Sequence, residues 1–285
     1  MTPHTNDAGF AHAALEQPAL NASALERLNR VRIVLVGTTL TRNIGAAARA
    51  MKVMGLRRLY LVKPKTLPDD DAFALAAGAD DVLQQAIICD DLATAIGDCT
   101  LVFGTSARRR DIVITEFSPA AAARQALAMA AASEVALVFG SERTGLDNRE
   151  LSLCQGRVQI PTDSDYSSLN LASAVQLIAY EVRLAALAVN GESAEAQPVR
   201  DVAPVTQDIH VPAPAIEFDR LMQHYVEFLK QINFYSTKNP EKLMTRLRRI
   251  FQRAAPDQRE IQILRGILSE AQGALARGTV VAPTQ

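Results

Sequence analysis

The chain contains the stretch Tyr166-Ser167-Ser168-Leu169-Asn170-Leu171-Ala172-Ser173-Ala174-Val175-Gln176, in which a polar, turn-prone loop leads directly into an apolar helix. Ser167 and Ser168 are good helix-capping residues, and the free backbone N–H groups at the start of a helix can bind a ligand. Two further segments, Asn43–Met51 and Gly140–Leu146, also combine a polar loop, a glycine and a helix. Three such loops on one alternating α/β scaffold predict a single composite site.

The composition limits the classes of protein to consider. The 285 residues, 48% of them hydrophobic, allow one medium domain plus a smaller unit. The net charge of −1 does not indicate a nucleic-acid partner, so such a partner would have to bind a local basic patch. Cys89, Cys99 and Cys154 have no CxxC spacing. We therefore expect neither a disulfide framework nor a thiolate metal site, and a reducing cytoplasm fits.

The chain shows no sign of membrane targeting. The N-terminus lacks a basic segment followed by an apolar core, so we expect no signal peptide. The longest apolar helix, Leu169–Val189, is interrupted by Gln176, Glu181 and Arg183, which favours a core helix over a membrane span. We expect a cytoplasmic protein without a membrane partner.

Short apolar runs alternate with helical segments between residues 30 and 190. Six runs of mostly β-branched or aromatic residues are predicted to form strands buried on both faces of a parallel sheet: Ile33–Val36, Leu59–Val62, Ala86–Ile88, Leu101–Phe103, Val135–Phe139 and Val158–Ile160. Helices are predicted over Ile44–Met54, Leu92–Ile96, Pro119–Ala132 and Leu169–Val189. This alternation predicts an α/β domain over residues 30–190.

The flanking segments differ from this domain. Residues 1–29 have no sustained period and are predicted to form a disordered tail, with one helical turn near Ala22–Leu28. Residues 191–214 carry four prolines and little periodic hydrophobicity, which predicts a linker. Helical periodicity resumes at Phe218–Asn233, Glu241–Arg253 and Arg259–Gln272, so residues 215–275 are predicted to form a small helical unit.

Asn43, Gly45 and Arg49 stand where the first predicted strand gives way to a helix, which is the geometry that favours anion binding. Asn43 can cap that helix, and Gly45 allows it to pack closely. Arg49 interrupts a small, apolar helix face, and it either serves a ligand or is solvated or paired with a carboxylate. The segment lacks both Gly-Lys-Ser/Thr and GxGxxG, so it indicates neither a Walker A loop nor an ordinary Rossmann loop.

Two other predicted strand ends carry candidate binding residues, since ligands bind at the strand ends of open α/β sheets. Thr105-Ser106-Ala107-Arg108-Arg109-Arg110 ends in a triple arginine, which either contacts phosphate or forms a solvated basic loop. Gly140 could let a ligand approach the backbone. The alternative is a simple turn in which Glu142 and Arg143 pair with each other or with solvent.

The adjacent serines suggest a nucleophile, but that chemistry needs a base, which is usually histidine. The four histidines all lie outside the predicted α/β domain: His4, His12, His210 and His224. A serine-hydrolase triad is therefore not expected. The same scarcity of histidine, without clustered cysteines, argues against a metal site.

The C-terminal unit carries a basic stripe. Lys242, Arg246, Arg249 and Arg253 recur at helical spacing, beside an apolar face made by Leu243, Leu247, Ile250 and Phe251. Eight basic and three acidic residues between positions 238 and 265 make this region cationic. The stripe is either a solvated helix face or, as we favour, a surface that faces RNA.

Taken together, the motifs resemble those of the SPOUT superfamily of RNA methyltransferases. Asn43-Ile44-Gly45 with Arg49 resembles its first motif, and Phe139–Leu146 resembles its second. Ile160-Pro161 followed by Ser167-Ser168-Leu169-Asn170-Leu171 resembles its third. The Tyr166–Asn170 version of this motif and the segments Met244–Phe251 and Ile263–Leu268 resemble the TrmJ branch, whose members methylate the ribose 2′-hydroxyl of nucleotide 32 in the tRNA anticodon loop.

The resemblance implies a SPOUT-type parallel sheet flanked by helices, with a C-terminal trefoil knot, and a homodimer that acts on tRNA. It implies that S-adenosyl-L-methionine binds in the knot, at positions Thr105, Ser106, Ala107, Gly140, Ile160, Ser167, Ser168 and Leu169. The family assigns activation of the ribose hydroxyl to Arg49. Because arginine stays protonated, we expect Arg49 and Asn43 instead to orient the hydroxyl and stabilise its developing charge. RNA contacts are expected at Arg42, Arg108 and the stripe from Lys242 to Arg253.

Other functions stay open at this stage. A non-catalytic RNA-binding protein of the same fold would keep the basic helix but need no cofactor pocket. A methyltransferase acting on another structured RNA, or on a small molecule, would keep the pocket. Cofactor binding separates the first alternative from the others, and removal of residues 215–285 separates an RNA enzyme from a small-molecule enzyme.

Overall fold

A computed structural model describes residues 19–107, 114–165, 167–191, 211–236 and 240–277. Seven parallel strands form one sheet in the order β3-β2-β1-β6-β4-β7-β5. The strands are β1 Val31–Val36, β2 Arg58–Val62, β3 Ile87–Cys89, β4 Cys99–Thr105, β5 Thr115–Phe117, β6 Glu134–Phe139 and β7 Gly156–Val158. The predicted parallel sheet is therefore confirmed.

All six predicted strands are present, and β1 shows why the apolar runs predict them. Every residue of β1 is buried, as expected for a central parallel strand covered by helices on both faces. The edge strand β3 differs, because Ile87 and Ile88 are exposed, so burial on both faces was the wrong expectation there. The opposite edge strand, β5, was missed because its three residues contain no apolar run.

Eleven α-helices are described, and the long ones match the predicted segments. They are α1 Ala22–Asn29, α2 Thr41–Met54, α3 Asp70–Ala76, α4 Asp80–Gln84, α5 Leu92–Ile96, α6 Pro119–Met129, α7 Asn148–Ser152, α8 Leu171–Gly191, α9 Ala215–Gln231, α10 Pro240–Ala254 and α11 Gln258–Ala276. Helices α3, α4 and α7 have five to seven residues, too short to show a helical period in the sequence.

The folded domain begins earlier than position 30. Helix α1 is capped by the Asn21 side chain, which accepts a hydrogen bond of 2.8 Å from the Ala24 amide. It buries Ala24 and Leu28 and packs against α8, so the expected disordered tail was too long at its C-terminal end. The rest of that tail, residues 1–18, and residues 192–210 of the expected linker lie outside the described residues.

Helices cover both faces of the sheet. Helices α1, α2, α3, α4, α6 and α8 contribute to the core on one face, while α5, α7 and the start of α9 cover the other. Among the described residues, α8 is long and apolar enough to cross a membrane. Its residues Val175, Ile178 and Val182 are nevertheless buried against the other helices, which is the packing of a core helix.

Helices α9, α10 and α11 form a helical unit with a small core of its own. Two backbone hydrogen bonds of 2.9 Å tie its ends: the Ile216 amide donates to Gly97 of the sheet domain, and the Ala213 amide donates to Pro256. Within the unit, Arg248 pairs with Asp219 at 2.6 Å and joins α10 to α9. The predicted helical unit is therefore present and docked on the sheet domain.

Candidate active site

A cavity of about 120 Å³ lies at the carboxyl ends of β4, β6 and β7, beside the start of α8. The structure brings all eight positions expected to bind the cofactor into its wall: Thr105, Ser106, Ala107, Gly140, Ile160, Ser167, Ser168 and Leu169. These residues come from four separate segments, and parallel topology places the ends of their strands at one edge of the sheet. We call this the donor cavity.

Gly140 shapes the donor cavity through the absence of a side chain. A Cβ atom at this position would lie 2.1 Å from the carbonyl carbon of Gly145 and from the nitrogen of Leu146. The loop folds back on itself here, with the Gly145 amide donating to the Ser141 carbonyl at 2.9 Å. Glycine at position 140 is thus required for the tight loop, and the wall at this point is backbone.

Glu142 joins this loop to the start of α2. Its carboxylate accepts hydrogen bonds from the Thr39 amide at 3.0 Å, the Thr39 hydroxyl at 2.9 Å and the Leu40 amide at 3.3 Å. It also accepts a bond of 2.8 Å from Nδ2 of Asn43. Since α2 has no side-chain cap of its own, Glu142 supplies an acceptor at a helix terminus that favours negative charge.

These contacts keep Glu142 ionised. Partial burial, the largest single influence, raises the pKa of the carboxyl group. The hydrogen bonds from Asn43, Thr39 and the backbone outweigh burial and hold the pKa of Glu142 below its ordinary value. The alternative in which Glu142 pairs with Arg143 in a simple turn is not what the structure shows.

Asn170 completes a chain of three side chains. Its Nδ2 donates to Oδ1 of Asn43 at 3.0 Å, and its own Oδ1 accepts from the amide of Ala172 at 2.9 Å. Asn170 therefore caps α8, and the expectation that Ser167 or Ser168 does so was wrong. The expected capping role of Asn43 was also wrong, because α2 begins two residues earlier, at Thr41.

Glu142 and Asn170 were not predicted from the sequence as functional residues. Glu142 follows a predicted strand end and a glycine, and Asn170 precedes the first apolar residue of α8, so both had local signals for binding or capping. Their shared partner, Asn43, lies 99 and 127 residues away along the chain. Only the fold brings these three side chains together.

Arg49 does not line the donor cavity of its own chain, as far as the described residues show. It lies six residues beyond Asn43 on α2, about 120° around the helix axis and about 9 Å along it. Asn43 is buried toward Glu142, whereas Arg49 and Arg42 are exposed. Arg49 is therefore a surface residue of the single chain, and its catalytic role stays a prediction.

The exposed face of α8 is apolar. Leu177, Tyr180 and Leu184 repeat at helical spacing and are each more than 40% exposed. Helix α2 packs beside α8 and exposes Val53 to 66%. Three exposed apolar side chains on one helix face are a candidate surface for contact with another protein chain.

The basic stripe lies on a single helix, α10, none of whose residues is fully buried. Lys242, Arg246 and Arg253 are exposed, and Arg249 is half-buried. Of the apolar face expected beside them, Phe251 packs against Tyr225, with ring centroids 5.2 Å apart, but Ile250 is 51% exposed. Arg108, the other expected RNA contact, lies outside the described residues.

No histidine of the described residues lines the donor cavity, and the one carboxylate among its described lining residues, Glu142, already accepts hydrogen bonds from Thr39, Leu40 and Asn43. His224, the one histidine that the structure describes, bonds to Gln272 on α11 at 2.8 Å, far along the chain from the cavity. Burial raises the pKa of the Cys99 and Cys154 thiols to about 12, so neither is a reactive thiolate. This arrangement can hold and orient a ligand, and no histidine or thiolate of the described residues lines the cavity to activate its serine and threonine hydroxyls.

Comparison with known proteins agrees with this geometry. The model of the SpoU rRNA Methylase family matches residues 30–180, and the model of the C-terminal domain of tRNA methyltransferase TrmJ matches residues 216–280. The tRNA (cytidine/uridine-2'-O-)-methyltransferase TrmJ of Sodalis glossinidius is 45% identical over 242 residues, which are 85% of this chain and 91% of that protein. The chain belongs to the TrmJ family.

Membership of the TrmJ family makes the chain a methyltransferase and confirms the resemblance drawn from its motifs. The TrmJ protein of Shigella dysenteriae serotype 1 is 46% identical over 245 residues, which cover 85% of this chain and 95% of that protein. The crystal structure of TrmJ from Z. mobilis ZM4 superposes with a TM-score of 0.72 at 32% identity, over 85% of this chain and 98% of that one. The trefoil knot stays a prediction.

Proposed function

We propose that this TrmJ-family chain transfers a methyl group from S-adenosyl-L-methionine to the ribose 2′-hydroxyl of nucleotide 32 in the tRNA anticodon loop, as a cytoplasmic homodimer. The observation that carries the proposal is the convergence of all eight expected cofactor positions on one cavity. The names of the curated relatives, tRNA (cytidine/uridine-2'-O-)-methyltransferases, support the substrate class.

The residues of the donor cavity fit this cofactor. Ile160 and Leu169 offer apolar surface to an adenine ring, and Ser167 and Ser168 offer hydroxyls beside a wall of backbone at Gly140. The enclosed volume of about 120 Å³ is below the roughly 300 Å³ of small ligand pockets, so part of the cofactor would lie outside the enclosed space. When bound, S-adenosyl-L-methionine supplies an electrophilic methyl group.

Asn43 acts in this proposal as a positioning residue. Both ends of its side-chain amide are engaged, one by Glu142 and the other by Asn170. It therefore holds the first and third motifs against the second rather than contacting the ribose, which revises the role expected from the sequence. Rigid placement of the loops favours in-line alignment of the hydroxyl with the methyl group.

Arg49 acts in the active site of the partner subunit. It is exposed on α2, the helix that packs against α8, and α8 carries the exposed apolar stripe of Leu177, Tyr180 and Leu184. A second copy that buries this stripe would bring α2 of one subunit toward the other subunit. There the guanidinium would orient the hydroxyl and stabilise its developing negative charge, since an arginine remains protonated.

The tRNA is held by basic side chains outside the donor cavity. The exposed Lys242, Arg246 and Arg253 and the half-buried Arg249 on α10 contact phosphates, as do Arg42 and Arg108. Because the overall charge is only −1, this local concentration of cations provides the attraction that the whole protein lacks.

The direct experiment incubates the protein with an unmodified tRNA transcript and radiolabelled S-adenosyl-L-methionine, and then maps the modified nucleotide. We expect one labelled 2′-O-methyl group at nucleotide 32, and none on a matched tRNA that carries 2′-deoxyribose there. Label that persists on the deoxy tRNA contradicts the proposed position. Absence of label on every tRNA contradicts the proposed reaction.

A further inference from the structure

Two adjoining cavities lie where the helical unit meets the β5 edge of the sheet. They enclose about 380 Å³ and about 210 Å³, and both are lined by Thr115, Gln155, Gln252 and Arg253. We call the pair the junction cleft. The junction cleft is separate from the donor cavity. Thr100 lines the cleft and Thr105 lines the donor cavity, and these two residues of β4 lie roughly 16 Å apart along the strand.

The wall of the larger cavity contains three aromatic rings, of which Phe103 and Phe218 are buried and Phe117 offers the exposed surface. Phe103 and Phe117 pair edge to face with ring centroids 5.0 Å apart, and Phe218 of the helical unit lines the cavity with them. Phe117 is only half-buried. The volume falls within the range of small-molecule pockets, and aromatic walls are the surfaces on which nucleic-acid bases stack.

Polar side chains with hydrogen-bonding groups that are still available also line the two cavities. Thr100 is 6% exposed, and its hydroxyl has no hydrogen-bond partner among the described residues. Oε1 of Gln155 accepts from the Val102 amide at 2.8 Å, which leaves its NH₂ group as a donor. Nε2 of Gln252 donates to the carbonyls of Ser152 and Cys154, which leaves its oxygen as an acceptor. Such a set can bind the polar edge of a base.

The smaller cavity is positively charged. Arg249 and Arg253 line it, and neither pairs with a carboxylate of the described residues, whereas Arg248 is neutralised by Asp219 at 2.6 Å. None of the described residues that line either cavity is Asp or Glu. Guanidinium groups without a local counter-charge favour phosphate.

We propose that the junction cleft is a second RNA site, which holds one nucleotide with its base in the aromatic cavity and its phosphate on Arg249 and Arg253. This inference rests on the proposed function, in which the substrate is an RNA. A polymer is favoured over a free nucleotide because the positive charge continues from Arg249 along α10 to Arg246 and Lys242. The nucleotide is distinct from the one that is methylated.

The test measures the affinity of the full-length protein for fluorescently labelled tRNA at several salt concentrations. Arg249→Ala removes a phosphate contact, so we expect weaker binding and a salt slope smaller by about 0.7 to 1. Gln125→Trp places an indole from an exposed position at the larger cavity, so we expect about tenfold weaker binding with an unchanged salt slope. Thr115→Trp, also exposed, is the second filling variant.

Arg259→Ala is the matched control, because it removes one exposed arginine of the helical unit outside the cleft. The loss of tRNA affinity in Arg259→Ala gives the loss expected from the removal of one positive charge alone. Melting temperature and calorimetry with S-adenosyl-L-methionine verify that each variant is folded. Equal effects of Arg249→Ala and Arg259→Ala, together with unchanged binding in both tryptophan variants, overturn the proposal.

Two further results separate this inference from its alternatives. Cytidine monophosphate and uridine monophosphate are titrated in parallel. If either nucleotide binds with micromolar affinity while the tryptophan variants leave the tRNA affinity unchanged, the cleft is a free-nucleotide site and the proposed RNA site is overturned. Because the readout is binding, it does not depend on methyl transfer. If the wild-type protein methylates no tRNA but its variants show the expected losses of tRNA affinity, the junction site is supported and the proposed function is contradicted.

Discussion

Nδ2 of Asn43 donates a hydrogen bond of 2.8 Å to Oε1 of Glu142, and this bond joins α2 to the loop that follows β6. Asn170 extends the connection at 3.0 Å and caps α8 with the same side chain. The three motifs that surround the donor cavity are therefore held in place by one another. A change at any of these side chains is transmitted to the cavity wall.

Glu142→Ala should destabilise the protein by about 2–3 kcal/mol, because it leaves the Asn43 amide and the amides of Thr39 and Leu40 without their acceptor. Urea denaturation measures the loss, and calorimetry should show weaker binding of S-adenosyl-L-methionine. Glu270→Gln, which changes an exposed carboxylate on α11, is the control. Equal stability of the two variants would show that the Glu142 bonds contribute nothing.

The contribution of Glu142 should also depend on pH. Its pKa is lower in the folded protein than the ordinary 4.5, so its stabilisation is fully present above 4.5 and is lost as the pH falls through the lower folded value. The difference in unfolding free energy between the wild type and Glu142→Gln should therefore shrink in acid. A difference that stays constant from pH 7 to pH 3 contradicts this assignment.

Gly140→Ala should disrupt the donor cavity, because the added Cβ would lie 2.1 Å from the backbone of Gly145 and Leu146. We expect affinity for S-adenosyl-L-methionine to fall at least about tenfold, which corresponds to about 1.4 kcal/mol. Gly266→Ala is the matched control: a Cβ there meets nothing within 4 Å, and alanine in a helix should add up to about 1 kcal/mol of stability. Normal cofactor affinity in Gly140→Ala would be evidence against the site.

Replacement of Arg32 should lower the stability of the fold without changing cofactor binding in the donor cavity. It is 1% exposed, bonds to Asp98 at 2.7 Å and Glu134 at 2.9 Å, and lies under the Tyr60 ring at 4.5 Å. Arg32→Ala should cost about 3 kcal/mol, because it removes a large buried side chain from the core and leaves the Ala95 carbonyl without the Arg32 donor, while Glu134 keeps its pair with Arg58.

An exposed pair supplies the comparison for Arg32. Arg57→Ala removes a surface ion pair with Asp81, so it should cost about 0.5 kcal/mol. Arg32 is the second residue of β1, near the amino ends of the strands, whereas the donor cavity lies at their carboxyl ends, so cofactor affinity should be unchanged in the folded fraction of Arg32→Ala. A selective loss of cofactor affinity there would contradict this separation of stability from binding.

The strands were predictable because they are short, apolar and buried, as in β1 and β6. The eight positions of the donor cavity came from the resemblance to the SPOUT motifs, and the structure places all eight around one cavity, while their binding of the cofactor stays a prediction. Helices α3, α4 and α7 were not predicted, since one or two turns carry little period, although the equally short α5 was predicted at Leu92–Ile96. The sequence also could not show the chain of Glu142, Asn43 and Asn170, because hydrogen-bond partners distant in sequence leave no local pattern.

The orientation of Arg49 is another feature that the sequence alone could not predict. Its motif indicated a catalytic role, but its position on α2 relative to the cavity depends on helix phase and on packing against α8. The helix begins at Thr41 and buries Asn43, which turns Arg49 outward. That outcome follows from tertiary contacts, and it is the reason why we propose that Arg49 acts in the site of a second subunit.

Mixing two inactive variants tests this central claim most directly. Arg49→Ala retains the donor cavity, and Gly140→Ala retains Arg49, so a mixed dimer contains one complete site if the arginine acts across the interface. After unfolding and refolding an equal mixture, methylation of tRNA should recover to about a quarter of the wild-type rate. Recovery to that level supports a site shared between subunits, and a mixture no more active than its separate components contradicts it.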